Sequence, residues 1–244
     1  MYSEKKILFG QKYPAKNYLG ITEGENKMKD EKISNYVKLC EDWADKFMKM
    51  DQENLRKRVP ELKEENGFLT LIHFGRKYGI SLNDGSICSM DGQQEPDTTE
   101  MLNIYTLLGY AKEGAFFMNK WVPFADLRNA RPFAPAYKIG ETDVFGATFS
   151  GHEKELREAF GKLGGKELPQ GDVGYEIRAF ECMPMRFFFW ERDEEFEAQG
   201  NILFDYSATD FNHVESAVSI ADVGIKRLAE LAGLPVRGKS FQMK

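Results

Sequence analysis

Three apolar runs, Tyr175-Glu-Ile-Arg-Ala-Phe180, Met185-Arg-Phe-Phe-Phe-Trp190 and Ile202-Leu-Phe-Asp-Tyr206, decide how this chain folds. Each is short, rich in aromatic and branched side chains, and bounded by turn residues, which is the composition of a strand rather than a helix. Pro184 separates the first two as the corner of a hairpin. A second group of strands lies upstream. Phe68 to Phe74 is apolar on both faces, the pattern of a central strand. Tyr78 to Leu82 and Ile87 to Met90 flank Asn83-Asp84-Gly85-Ser86, a hairpin turn in which Gly85 accepts a positive φ without steric penalty. Strands therefore come in groups and do not alternate regularly with helices. The sequence predicts an α+β fold, with a mainly antiparallel sheet packed against long N- and C-terminal helices in a single compact domain.

The helices follow from three- and four-residue spacing. Ile33, Tyr36, Val37, Cys40, Trp43, Ala44, Phe47 and Met48 fall on one face of a long first helix that ends by Pro60. Pro96 and Asp97 introduce a second helix through Met101, Ile104, Leu107 and Leu108. Trp121 to Phe124 reads as a buried turn or short helical entry. The chain around Pro132 and Pro135 reads as loop, then as helix to about Phe149. Ser150 and Glu153 have capping-box spacing for a helix that stops at Gly164-Gly165. A last helix starts at Asn212 and runs to Gly233, with Val214, Val218, Ala221, Ile225, Leu228 and Ala232 as its buried stripe. Residues 1–27 are an irregular lead-in, 28–236 the domain, and 237–244 a tail.

The chain has 244 residues and a net charge of −6, with the acidic excess concentrated after the first 66 residues. That balance argues against a general nucleic-acid binder. No apolar run approaches the ~20 residues that span a bilayer, and no signal-peptide core opens the chain, so a cytoplasmic location without membrane association is expected. Three scattered cysteines build neither a disulfide framework nor an iron–sulfur motif. Lys162 to Glu167 is not a phosphate loop, because Phe160 stands where its first glycine is needed and Glu167 where Ser or Thr would reach Mg²⁺. The acidic block at Glu191, Asp193, Glu194, Glu195 and Glu197 reads as a solvated turn, with a divalent-cation or basic-partner site as the alternative.

The candidate site is the polar stretch from Asp205 to Glu215, which leaves an apolar strand and enters a helix N-terminus. Asp205, Ser207, Asp210 and His213 would hold a metal or act in acid–base chemistry there; the bland alternative is that they close the turn and cap the helix, with Asn212 as cap. Asp205 must find amide partners, a cation or solvent. Trp190, expected to be mostly buried, and His73, on a strand face with Leu69 and Leu71, are further ligand candidates. His73 is either a satisfied core residue or an axial ligand to a tetrapyrrole metal.

Several segments resemble the DUF3786 family: Leu107-Leu-Gly-Tyr110, Trp121 to Leu127, Gly171-Asp172, Met183-Pro184, Phe189-Trp-Glu191 with Asp193 to Phe196, and Ile202 to Ser207. The resemblance covers about residues 65–235. It implies a setting in anaerobic bacteria and archaea, where some related proteins carry a four-cysteine iron–sulfur domain akin to that of corrinoid proteins. This chain lacks those cysteines. It also departs from the D-x-H-x-x-G cobalamin motif, since His213 stands one residue too late after Asp210 and Ser216 replaces the glycine. The expectation is a ligand-binding or accessory protein, with a corrinoid or haem as candidate cofactor and a small molecule, a tetrapyrrole or a protein as partner. Two alternatives stand beside it. One is a hydrolase or lyase using carboxylates near Asp205 and His213. The other is a subunit or scaffold of a larger complex, which would expose an apolar patch and enclose no pocket.

Overall fold

The computed structural model describes residues 23–92 and 94–238, with side chains from Asn35 onward. The described residues from Lys38 onward form one compact unit, and those before it belong to another. Helix α1 (Glu23–Phe47) begins earlier than its spacing indicated, taking in part of the expected lead-in, whose first 22 residues lie outside the described region, as does most of the expected tail. It is not continuous to Pro60. Asp51 accepts the amides of Glu53 and Asn54 and so starts a separate helix, α2 (Gln52–Arg58). Of the α1 stripe, Cys40 and Phe47 are buried, whereas Val37 and Met48 are exposed.

The antiparallel strands divide between two sheets. In the first, β1 (Lys63–Glu65), β2 (Phe68–His73), β3 (Arg76–Ser81) and β4 (Ile87–Ser89) lie in sequence order. The second has the order β5-β9-β8-β7-β6, from β5 (Trp121–Pro123), β6 (Lys166–Glu167), β7 (Val173–Phe180), β8 (Met183–Trp190) and β9 (Gln199–Asp205). The reason for the division is that β1 and β3 occupy both edges of β2, so β2 meets β7 only end-on. At that junction Ala179 O accepts the Phe74 amide at 3.0 Å and lies 2.9 Å from His73 Nδ1.

Helix α3 (Thr98–Tyr110) opens with a reciprocal capping box between Asp97 and Glu100. Trp121 to Phe124 becomes β5 followed by a 3₁₀ turn at Phe124–Asp126. From Arg131 the chain is already helical: a 3₁₀ turn leads into α4 (Ala134–Tyr137), a π turn (Lys138–Thr142) and α5 (Asp143–Phe149). The expected capping box at Ser150 and Glu153 does not form, because Ser150 instead donates to Glu191 at 3.1 Å; α6 (Glu153–Lys162) has His152 at its cap without a side-chain bond. A short α7 (Ala208–Phe211) precedes α8 (Val214–Ala232), which ends on Gly233 in the left-handed conformation. No helix among the described residues is long and apolar enough to cross a membrane.

The inner face of the second sheet carries Phe187 and Phe189, which meet Phe145 and Phe160 in tilted and edge-on contacts at 5.5–6.2 Å, and Phe145 in turn meets Phe149 at 5.4 Å. Trp190 is the exception to the expected burial. It ends β8 on the opposite face from Phe187 and Phe189, and is 39% exposed. Where the sheets meet, Gly224 brings α8 down onto Phe74 and Phe187. A Cβ at Gly224 would stand 2.8 Å from the Phe74 ring and 3.2 Å from that of Phe187. Gly224→Ala should therefore destabilise the protein by about 1–3 kcal/mol through overpacking, although helix propensity alone favours alanine by about 1 kcal/mol. Chemical denaturation decides the sign; a stabilised variant would show that the contact has slack.

Candidate functional site

The turn after β9 gathers four of the six candidate residues. Asp205 is 2% exposed at the strand end. One carboxylate oxygen accepts the amides of Met118 and Ser207, each at 3.0 Å, and the Ser207 hydroxyl. The other accepts the Lys120 amide at 2.8 Å. Tyr206 in turn donates its amide to Lys120 O at 2.7 Å. The amide partners that this buried carboxylate requires thus come from a loop more than eighty residues upstream. Asp205 pins residues 111–120 to the end of the sheet.

Asp210 closes the other side. Lys112 Nζ donates to it at 2.7 Å, Arg128 bonds the same oxygen, and the Lys112 amide reaches Asp210 O at 2.9 Å. Partial desolvation opposes ionisation, but the hydrogen bonds from Arg128 and Lys112 hold the carboxyl below its ordinary range. Lys120 and Arg128 stand 4.2 and 4.9 Å from the Tyr206 ring centre. His213, not Asn212, caps α8: its Nδ1 accepts the Glu215 amide at 3.3 Å, while Asn212 accepts the His213 amide and donates to Asn103 O. Among the described residues, no group of three or more His, Cys, Asp or Glu is placed to hold a metal ion.

His73 and Trp190 lie elsewhere. His73 stacks on Phe180 at 4.2 Å, and burial drives its pKa down to about 4 against the opposing bond to Ala179 O. It is a neutral core residue. The acidic block is an exposed turn, in which Asp193 accepts the amides of Glu195 and Phe196. Burial pushes the Cys40 thiol up to about 11 and raises that of Cys182 as well, so neither is a thiolate at neutral pH.

A polar centre at the side of α8 escaped the sequence reading. Glu141, inside the π turn, is fully buried, and neither carboxyl oxygen has a hydrogen-bond partner. Burial pushes its pKa up to about 8, with Asp222 adding to the rise and Lys226 opposing it. Lys226 is paired with Asp222 and lines a cleft of about 190 Å³ with Arg76, Asp97, Glu100, Arg227 and Glu230. That cleft is internally neutralised: Arg76 and Arg227 both bond Glu230, and Glu100 accepts the Tyr78 hydroxyl at 2.7 Å. The available sequence signal was the placing of Glu141 four residues from both Tyr137 and Phe145, an acid within an otherwise apolar stripe.

If Asp205 is an anchor, Asp205→Asn should cost about 1–3 kcal/mol, because an amide group then faces N–H donors. Amide exchange at Met118 and Lys120 should accelerate in step. His213→Ala, which removes one long capping bond, should cost about 0.5 kcal/mol. Unchanged exchange at Met118 in Asp205→Asn would refute the anchoring role.

No curated protein and no solved structure matches this chain. A family profile, that of the domain of unknown function DUF3786, matches residues 53–227. The match takes in both sheets, α3 to α7 and most of α8, including Asp205, Glu141 and the loop between α3 and β5. By this profile the chain belongs to the DUF3786 family.

Proposed function

We propose that the protein is an accessory module that docks onto a partner protein through the loop joining α3 to β5. The observation that carries this reading is the apolar tip of that loop. Phe116 is 65% exposed, Phe117 44% and Met118 36%, although buried Asp205 fixes the loop backbone immediately behind them. Exposed aromatic and Met side chains on a pre-shaped segment suit a docking anchor, because little ordering entropy is then lost on association. Within the patch Phe117 packs edge-on against Trp121 at 5.8 Å.

Charge narrows the partner. Lys120 stands two residues from Met118 as a cation at the base of the tip, in a chain whose net charge is −6, while Lys112 and Arg128 are paired with Asp210. A protein surface offering an apolar pocket with an acidic rim complements that arrangement. An anionic membrane suits it less well, since the excess acidic charge of the whole chain opposes approach. Phe145, Phe149, Phe160, Phe187 and Phe189 are all fully buried in the core, so this aromatic cluster supports packing and lends no surface to a tetrapyrrole.

A photo-reactive phenylalanine analogue at position 117, with one at exposed Ile72 as control, tests the proposal in cells of the native host. Position 117 should cross-link a protein that position 72 does not. With that protein purified, Phe116→Ser/Phe117→Ser should weaken binding by about 30-fold or more, and added salt should weaken it further. Folding stability should change by less than about 0.5 kcal/mol. Identical cross-links from both positions, cross-links confined to residues 1–22 of the same chain, unaltered affinity of the double variant, or binding to anionic vesicles in its place would each overturn the reading.

A further inference from the structure

The π turn at Lys138–Thr142 places one acid where the fold provides nothing for its charge. Glu141 has no exposed surface and no donor to either oxygen, and the Tyr137 hydroxyl four residues earlier is likewise buried without a partner. π turns interrupt α-helices rarely, and often where a side chain has a task beyond packing. Across from the turn, α8 presents Asp222 and Lys226 one helical turn apart, joined as an ion pair. The Asp222 side chain is 19% exposed and that of Lys226 46%, so the pair is half-buried and Lys226 extends from it to the cleft.

We infer that Glu141 is an internal proton site that governs Lys226: protonated, it leaves Lys226 to Asp222 and the cleft, and ionised, it draws Lys226 inward between two carboxylates. The proton released on ionisation goes to solvent, and Lys226, the cation that acts on both carboxylates, is shared between them.

Few charged and titratable groups act on Glu141 from the elements packed against the turn. Of the five on α8, Asp222 and Lys226 act on it, whereas Arg227 and Glu230 pair with each other and Glu215 lies in the first turn; α4 supplies Tyr137. Asp143 of α5 is held at the surface by Lys138 at 2.8 Å. On β9 the only titratable residue is Asp205, at the far end of the strand and bound to amides. Asp97 of the α3 cap acts on Asp222 and Lys226. Burial is thus the chief influence on Glu141, followed by repulsion from Asp222 and attraction to Lys226, and together they push its pKa from 4.5 up to about 8. The folded chain therefore keeps a proton that the unfolded chain has lost. Stability from this group is complete below about 4.5, declines as pH rises to about 8, and then levels.

Difference infrared spectroscopy on the full chain reads the carboxyl directly. The wild type should show a protonated-acid band that disappears with a midpoint near pH 8, and Glu141→Gln should lack it. The decline of Tm between about pH 5 and 8 should flatten in the same variant. Labelling of Lys226 by an amine-reactive reagent at about pH 9 should be roughly threefold lower in wild type than in Glu141→Gln. Lys226→Met gives an independent check should that variant fold poorly: removing the cation should move the infrared midpoint to higher pH. A band that survives in Glu141→Gln, equal labelling of Lys226 in the two proteins, or an unmoved midpoint in Lys226→Met would overturn the inference.

Discussion

The main-chain carbonyl of Ala179 receives the Phe74 amide and faces Nδ1 of His73, and through it two sheets that share no ladder are held end to end. The junction is dry, since His73, Phe74, Ala179 and Phe180 are each at most 1% exposed. A carbonyl in such surroundings must be paired, and pairing it with donors from the other sheet fixes their relative position. Phe74 sits there at a positive φ of 43°, followed by Gly75 at 76°, so the tight turn aims the Phe74 ring away from the hairpin and under α8. Gly224 leaves room for that ring. The placing of α8, and with it the Asp222–Lys226 pair and the cap at His213, follows from this small group of contacts.

The α+β class and antiparallel pairing were legible because β2, β3, β7, β8 and β9 carry dense apolar patterning between clear turn residues. The division into two sheets was not. It depends on β1, whose Lys63-Glu64-Glu65 has no apolar signature and is a strand only because it pairs with β2. Trp190 was misplaced for a related reason: in a run of four aromatics, composition conceals which face each residue takes, and the last one has fewer neighbours to cover it. The turn after β9 was legible as chemistry, since a carboxylate ending an apolar strand must be satisfied. Its partners were not legible, because they are main-chain amides of a distant loop and carry no side-chain signature.

Asp205 and Glu141 are both buried carboxyl groups with opposite surroundings. Asp205 has main-chain and hydroxyl donors on both oxygens, whereas Glu141 has none. The first arrangement suits an anion and stiffens the backbone that supplies the donors; the second suits a neutral acid. One fold therefore uses the same functional group as a fixed structural anchor at one end of β9 and as a titrating centre beside the other.

The π turn also bears on how the chain tolerates changes in length. A wide turn between α4 and α5 holds one residue more than regular helix needs, so losing a residue between 138 and 142 would let the two helices join as one. Each residue of an α-helix advances its side chains by about 100°, and the wide turn absorbs that advance for its surplus residue. The repaired helix could therefore keep both Tyr137 against Phe124 and Phe145 against Phe187. A single-codon deletion here would leave both flanks in register, whereas the same deletion inside α8, which has no such slack, would turn every side chain beyond it by about 100°.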